Sequence, residues 1–188
     1  MHCAVTFSFT NRHPNREKMK NVSFRNDVLP LKDMLYRLAL RITQNREEAE
    51  DIVQDTLIKV WNRRDTWETI DSIEAFCTTI CRNLSLDYLR RSDNQNEALD
   101  EKAHGTPDRK SSPYEQAVSH DRIDTVRRLI DSLPEKQRTA MQLRDFEGKS
   151  YKDIANVMGI SEEQVKVNIF RARQAIKQKF SKIENYGL

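Results

Sequence analysis

The stretch Ser150–Lys177 reads SYKDIANVMGISEEQVKVNIFRARQAIK, and its spacing predicts two short amphipathic helices joined by a tight turn. Tyr151, Ile154, Ala155 and Met158 fall at i, i+3, i+4 and i+7, the interval of one buried helical face. Met158-Gly159-Ile160 is the break, where glycine can take the positive φ that ends a helix. Ser150-x-x-Asp153 and Ser161-x-x-Gln164 each set a hydroxyl at the N-cap and a polar partner three residues on. In the second helix Val165, Ile169, Ala172 and Ile176 form the apolar stripe. At about 100° per residue, the outward arc then holds Glu163, Gln164, Lys166, Val167, Phe170 and Arg171, with Asn168 and Arg173 flanking it. Six basic residues and no acidic one lie between Gln164 and Lys182. A short helix with one buried stripe and a basic outer arc suits a DNA major groove. An ordinary helical hairpin can also show a solvated basic face, but the paired caps and central glycine favour DNA reading.

The rest of the chain agrees with an all-α protein. Of 188 residues, 37% are hydrophobic and 32% charged, and only four Gly and five Pro are present, too little turn chemistry for a many-stranded sheet. The net charge of +3 is small, but it is segregated. Residues 149–188 carry eight basic against four acidic side chains, whereas residues 93–121 carry three against seven. Such segregation suits contact with DNA at one place and a basic surface at another. No apolar run approaches the roughly 18 residues that span a bilayer, so no direct membrane insertion is expected. Residues 1–24 lack a helical period and are expected to be a disordered tail. They also lack a basic leader and a small-residue cleavage site, so no signal peptide is read, and Met19 is a candidate start. An odd count of three cysteines gives no disulfide framework and points to reducing cytoplasm. Cys77 and Cys81 fall in an apolar helical stripe and read as buried side chains rather than metal ligands. No cofactor, metal site or small-molecule substrate is expected.

An N-terminal helical domain is expected over residues 25–92. Leu31, Met34, Leu35, Leu38, Ala39 and Ile42 make a first stripe. Asn45-x-x-Glu48 caps a second helix that buries Ala49, Ile52, Val53, Leu57, Val60 and Trp61. Its outer face carries Glu47, Glu48, Glu50, Asp51, Gln54 and Asp55. A polar loop, Arg63–Ser72, holds Trp67, which can stack on a base or pack on the neighbouring helix; packing is commoner. A third helix, capped by Asp71-x-x-Glu74, buries Ile73, Phe76, Cys77, Ile80, Cys81, Leu84 and Tyr88. Its other side shows Thr78, Thr79, Arg82, Asn83, Asp87, Arg90 and Arg91. Those groups can bind phosphates and base edges, and they are also what any surface helix shows.

Residues 93–113 have lost the apolar period and are read as a flexible acidic linker. A second domain, residues 114–182, follows as a four-helix unit ending in the helix-turn-helix, with a short tail at 183–188. Ile123, Val126, Leu129, Ile130 and Leu133 mark its first helix. Pro134-Glu135 opens the next, which runs to about Phe146.

Two helical domains, an acidic linker and a terminal helix-turn-helix together resemble a bacterial RNA polymerase sigma factor of the extracytoplasmic-function (ECF) type. The resemblance covers nearly all of Leu31–Lys177. It rests on AEDIVQDTLIKVW (Ala49–Trp61), CRNLSLDYLRR (Cys81–Arg91), SLPEKQR (Ser132–Arg138), LRDFEGKSYKDIA (Leu143–Ala155) and the segment Gly159–Arg173. It implies that Asp51, Gln54 and Asp55 dock on a coiled coil of the largest subunit of core RNA polymerase, and that the polymerase flap is a second contact. It implies that Trp67 with its loop, Arg82, Asn83, Asp87, Arg90 and Arg91 open the −10 promoter element and capture an unstacked base. It implies that Glu163, Gln164, Lys166, Val167, Asn168, Phe170, Arg171 and Arg173 serve the −35 element, and that an anti-sigma factor is a partner. The chain departs from the family where Phe76-Cys77 replaces a common Trp-Leu pair, where Thr79 replaces a frequent Arg, and where Val167-Asn168 replaces a small hydroxyl and a basic residue. The promoter sequence therefore does not carry over.

Two other classes compete with this reading. Glu48-x-x-Asp51 and Glu97-x-x-Asp100 resemble the paired carboxylates of a magnesium-dependent nucleotide hydrolase, but the second pair lies in the unpatterned linker. A stand-alone helix-turn-helix activator or repressor would need a sensor or dimerisation domain, and the sequence shows neither.

Overall fold

The structure, a computed structural model, describes residues 22–96 and 124–186. Among the described residues seven α-helices carry the fold: α1 (Lys32–Thr43), α2 (Arg46–Asn62), α3 (Ile73–Asn96), α4 (residues 124–131), α5 (Glu135–Met141), α6 (Tyr151–Met158) and α7 (Glu162–Tyr186). Among the described residues there is no strand, and no helix is long and apolar enough to cross a membrane. The protein is all-α and built of two helical domains, α1–α3 and α4–α7.

Local chemistry explains most boundaries. The Asn45 side-chain oxygen accepts from the Glu47 and Glu48 amides at 3.0 and 3.4 Å and starts α2, satisfying N–H groups that have no partner inside the helix. Before it, α1 stops at Gln44, whose φ of 57° is left-handed. Ser72 rather than Asp71 opens α3, its hydroxyl accepting from the Ala75 amide at 3.2 Å; the start shifts one residue from the predicted cap. At α7 the capping box is reciprocal. The Ser161 hydroxyl accepts from the Gln164 amide, and the Gln164 side chain accepts from the Ser161 amide.

In the first domain α1, α2 and α3 pack on one another. Leu35, Leu38, Ile42, Val53 and Val60 are fully or almost fully buried, each contributing about 1.5–3 kcal/mol of transfer free energy. Two expectations change here. Val22 and Phe24, placed in the tail, pack against this core, and Phe24 opens a short π turn, Phe24–Val28. Trp61, placed in the buried stripe of α2, is 46% exposed, while Thr56 is fully buried. Trp61 lies about 100° from Val60 around the helix, so it falls beside the stripe. Thr56 lies on it and satisfies its hydroxyl on the Ile52 carbonyl at 2.7 Å.

In the second domain α5 and α6 both pack on α7. A π turn, Gln142–Phe146, completes the segment expected as one helix to Phe146. The α3 helix continues to Asn96, four residues past the expected boundary; the remainder of the expected linker, 97–113, and the candidate start Met19 lie outside the described residues. The two domains meet where α5 packs on α1 and α6 on α3. Most of the buried apolar residues of both form one cluster, running from Leu35 and Cys81 through Leu143 and Ile154 to Ile169.

Candidate nucleic-acid and polymerase interfaces

The α6–α7 pair turns at the left-handed Gly159, φ 65°, whose amide donates to the Ala155 carbonyl. Val165, Ile169 and Ala172 are buried as the period predicts. Glu163, Gln164, Lys166, Val167, Phe170, Arg171 and Arg173 are exposed, and Asn168 is half-buried. Their engagements differ. Lys166 Nζ lies 5.7 Å from the centroid of the Tyr151 ring, on whose face Arg144 also sits. The Arg173 guanidinium pairs with Asp145, which raises its pKa further and fixes it beside the π turn. Asn168 donates its amide to the Gln164 carbonyl at 2.8 Å. The Glu163 carboxyl is held below its ordinary range, first by the backbone N–H at this helix start and then by Ser161. Arg171 has no ion pair among the described residues.

The residues expected at the −10 element divide. Asn83, Asp87, Arg90 and Arg91 are exposed along α3, with Arg90 paired to Asp87 at 3.1 Å and Arg91 donating to the Asp87 carbonyl. Trp67 does not join them. It is only 6% exposed, packs near-parallel to Phe24 and edge-on to Trp61, and donates its indole N–H to the Val60 carbonyl at 3.2 Å. Burial of its ring outweighs any display in the loop, which is itself a 3-10 turn, Arg64–Thr69. Arg82 is also withdrawn. It is 8% exposed and faces Glu135 of the second domain at 3.7 Å. In this arrangement neither Trp67 nor Arg82 presents a surface for DNA.

Along α2, Asp51, Gln54 and Asp55 are all exposed at i, i+3 and i+4, and the half-exposed Ile58 and Trp61 lie further along the helix. Cys77 and Cys81 are fully buried, and burial pushes both thiols up to about 12. No group of His, Cys, Asp and Glu able to hold a metal occurs among the described residues, so Glu48 and Asp51 gain no third ligand there.

Spacing within helices gave no signal for the seam between the domains, because its partners lie from 53 to 110 residues apart. The Arg37 guanidinium donates twice to Glu147, at 2.9 and 2.8 Å. This contact, first among its causes, holds the Glu147 carboxyl below its ordinary value. Arg41 donates to Asp131 and Gln142, Lys149 pairs with Glu74, and the Gln44 amide donates to the Asp131 carbonyl. Arg138, 8% exposed, donates to the Ile42, Asp131 and Leu133 carbonyls. The Nε atoms of Arg82 and Arg138 are buried without an acceptor among the described residues.

Residues 28–95 match the family model described as Sigma-70 region 2, and residues 123–176 match Sigma-70, region 4. The chain is 34% identical over 159 residues to the RNA polymerase sigma-H factor of Pseudomonas aeruginosa, covering 79% of this chain and 81% of that protein. It is 34% identical over 152 residues to the ECF RNA polymerase sigma factor SigE of Mycolicibacterium smegmatis, covering 80% of this chain and 58% of that longer protein. Among solved structures it resembles the sigma factor RpoE of Bartonella quintana, determined in complex with the anti-sigma factor NepR, at a TM-score of 0.66 and 26% identity over 84% of this chain and 96% of that one. Two Sigma-70 regions in order, on an all-α two-domain fold, with relatives that match across most of its length, establish that the chain belongs to the extracytoplasmic-function family of RNA polymerase sigma factors.

Proposed function

We propose that this chain binds core RNA polymerase through the acidic face of α2, directs it to promoters, and shares promoter recognition between α3 and α7. The observation that carries the reading is the outer arc of α7. Seven of its eight expected DNA-facing residues are exposed on a helix whose opposite stripe is buried. Asp51, Gln54 and Asp55 take the polymerase contact. Asn83, Asp87, Arg90 and Arg91 take the −10 element, where base capture costs a few kcal/mol in unstacking, offset by stacking and edge hydrogen bonds. The role is regulatory rather than catalytic, and it belongs in the cytoplasm with the polymerase. Because the similar RpoE was determined with an anti-sigma factor, a partner of that class is inferred here too.

The two promoter elements are named for positions about 25 base pairs apart, roughly 85 Å at 3.4 Å per pair. A compact chain of this length has a radius of gyration of about 16 Å. The closed arrangement is too short to engage both elements, so α1–α3 and α4–α7 part when the polymerase is loaded. Parting also frees Arg82 to join the −10 group.

The test is reconstituted run-off transcription on genomic templates. Core polymerase with this chain should start at promoters that core alone ignores, and silence on every template would defeat the reading.

A further inference from the structure

We infer that the centre of the α7 outer arc reads thymine, through its 5-methyl group, with Val167 and Phe170 as the specificity-determining pair; the inference rests on α7 being the −35 reader. Viewed down the helix at 100° per residue, Val167 and Phe170 sit within about 50° of the direction opposite the buried Val165–Ile169–Ala172 stripe. They are the large apolar side chains of the arc that would face into a groove. Both are exposed, Val167 by 45% and Phe170 by 62%. Cations flank them, Lys166 on one side and Arg171 on the other, where the phosphate strands of the groove would run.

Several alternative readers on this face are partly engaged. Adenine is read by the paired donor and acceptor of an Asn or Gln amide. Asn168 commits its amide N–H to the Gln164 carbonyl, and Gln164 commits its side-chain oxygen to the Ser161 amide. Arg173, a candidate for guanine, is held by Asp145. Val167 and Phe170 offer an exposed apolar pair on this face, and the thymine methyl is the one apolar group on the base edges of the major groove. A protein partner is a poorer fit for the pair. Two apolar side chains fall far short of the area a stable protein interface needs.

The experiment uses holoenzyme, core polymerase plus the full chain, on promoters selected from a library randomised at the −35 element. Each thymine of the selected element is then replaced by uracil, which lacks only the methyl group. Binding should fall about fourfold at each of one or two positions, the factor that burial of one methyl group carries. Val167→Ala should abolish the uracil effect at one position and Phe170→Ala at the other, with core binding unchanged in both. Restoring the methyl as 5-methylcytosine in a thymine-to-cytosine template should recover part of the loss. If selection yields a defined −35 element but uracil is neutral throughout, thymine reading is overturned while the −35 role of α7 stands. If selection enriches nothing there, both fall. If either alanine variant loses core binding instead, the pair is a polymerase contact and the inference is wrong.

Discussion

At the scale of single residues, exposure on one helix does not make side chains equivalent. Arg171 and Arg173 are two apart on α7, yet Arg173 is held by Asp145 and Arg171 has no ion pair among the described residues. Arg171→Ala should therefore weaken binding to the −35 element by roughly tenfold or more, the range of one good base or phosphate contact, with core binding unchanged. Gel-shift titration of holoenzyme and of free chain on core would separate the two. Trp67 carries the opposite expectation. Its ring is packed between Phe24 and Trp61 and its N–H is satisfied. Trp67→Ala should thus cost about 3–5 kcal/mol of stability, measured by urea unfolding, while Trp67→Phe should recover much of it. A Trp67→Ala chain of unchanged stability that fails only in promoter opening would restore the stacking role. Cys77 and Cys81, buried and pushed up to about 12, should stay unreactive toward a thiol reagent at neutral pH until the chain is unfolded.

Among the elements, the α6–α7 turn depends on one backbone conformation. At Gly159 an added Cβ would meet nothing within 4 Å, so the only obstacle to alanine is φ 65°. Gly159→Ala should cost about 1–2 kcal/mol, seen as a lowered melting temperature, and should loosen the α6–α7 angle enough to weaken promoter binding. This turn, its caps and the buried stripes of α1, α3 and α7 were legible in the sequence because they are local: period, hydroxyl and glycine all act within four residues. Trp61 and Thr56 show where period alone fails, since a large apolar residue at the stripe's margin looks more buried than a small polar one at its centre. Arg82 was misplaced for another reason. Its flank of α3 faces Glu135 of the second domain, 53 residues away, and no spacing within α3 reports that. Arg37, Arg41 and Arg138 escaped notice on the same ground.

For the whole molecule, the seam is where conditions should act. Arg37 and Glu147 join α1 to the second domain, and Glu147 has its carboxyl depressed chiefly by that hydrogen bond. A depressed carboxyl stabilises the form that holds it ionised. This contribution is complete above the ordinary carboxylate range and is lost as pH falls through the depressed value. Fluorescence transfer between labels on α2 and α7 should therefore drop as the solution is acidified below about pH 4.3, and Glu147→Gln should remove much of that step. Arg37 is half-exposed, so its ion pair is open to screening, and transfer at neutral pH should also fall as salt rises past about 0.15 M. A signal flat in both pH and salt would mean that the continuous apolar cluster alone holds the domains together.

The seam also contains its own counterweight. The Nε–H groups of Arg82 and Arg138 lie buried there with no acceptor among the described residues, and a buried unmatched donor costs about 1–3 kcal/mol. Water would satisfy both as soon as the domains part. Separation that lets water reach the two groups would return that cost, so a polymerase pulling the domains apart should meet less resistance than the tally of bridges across the seam implies.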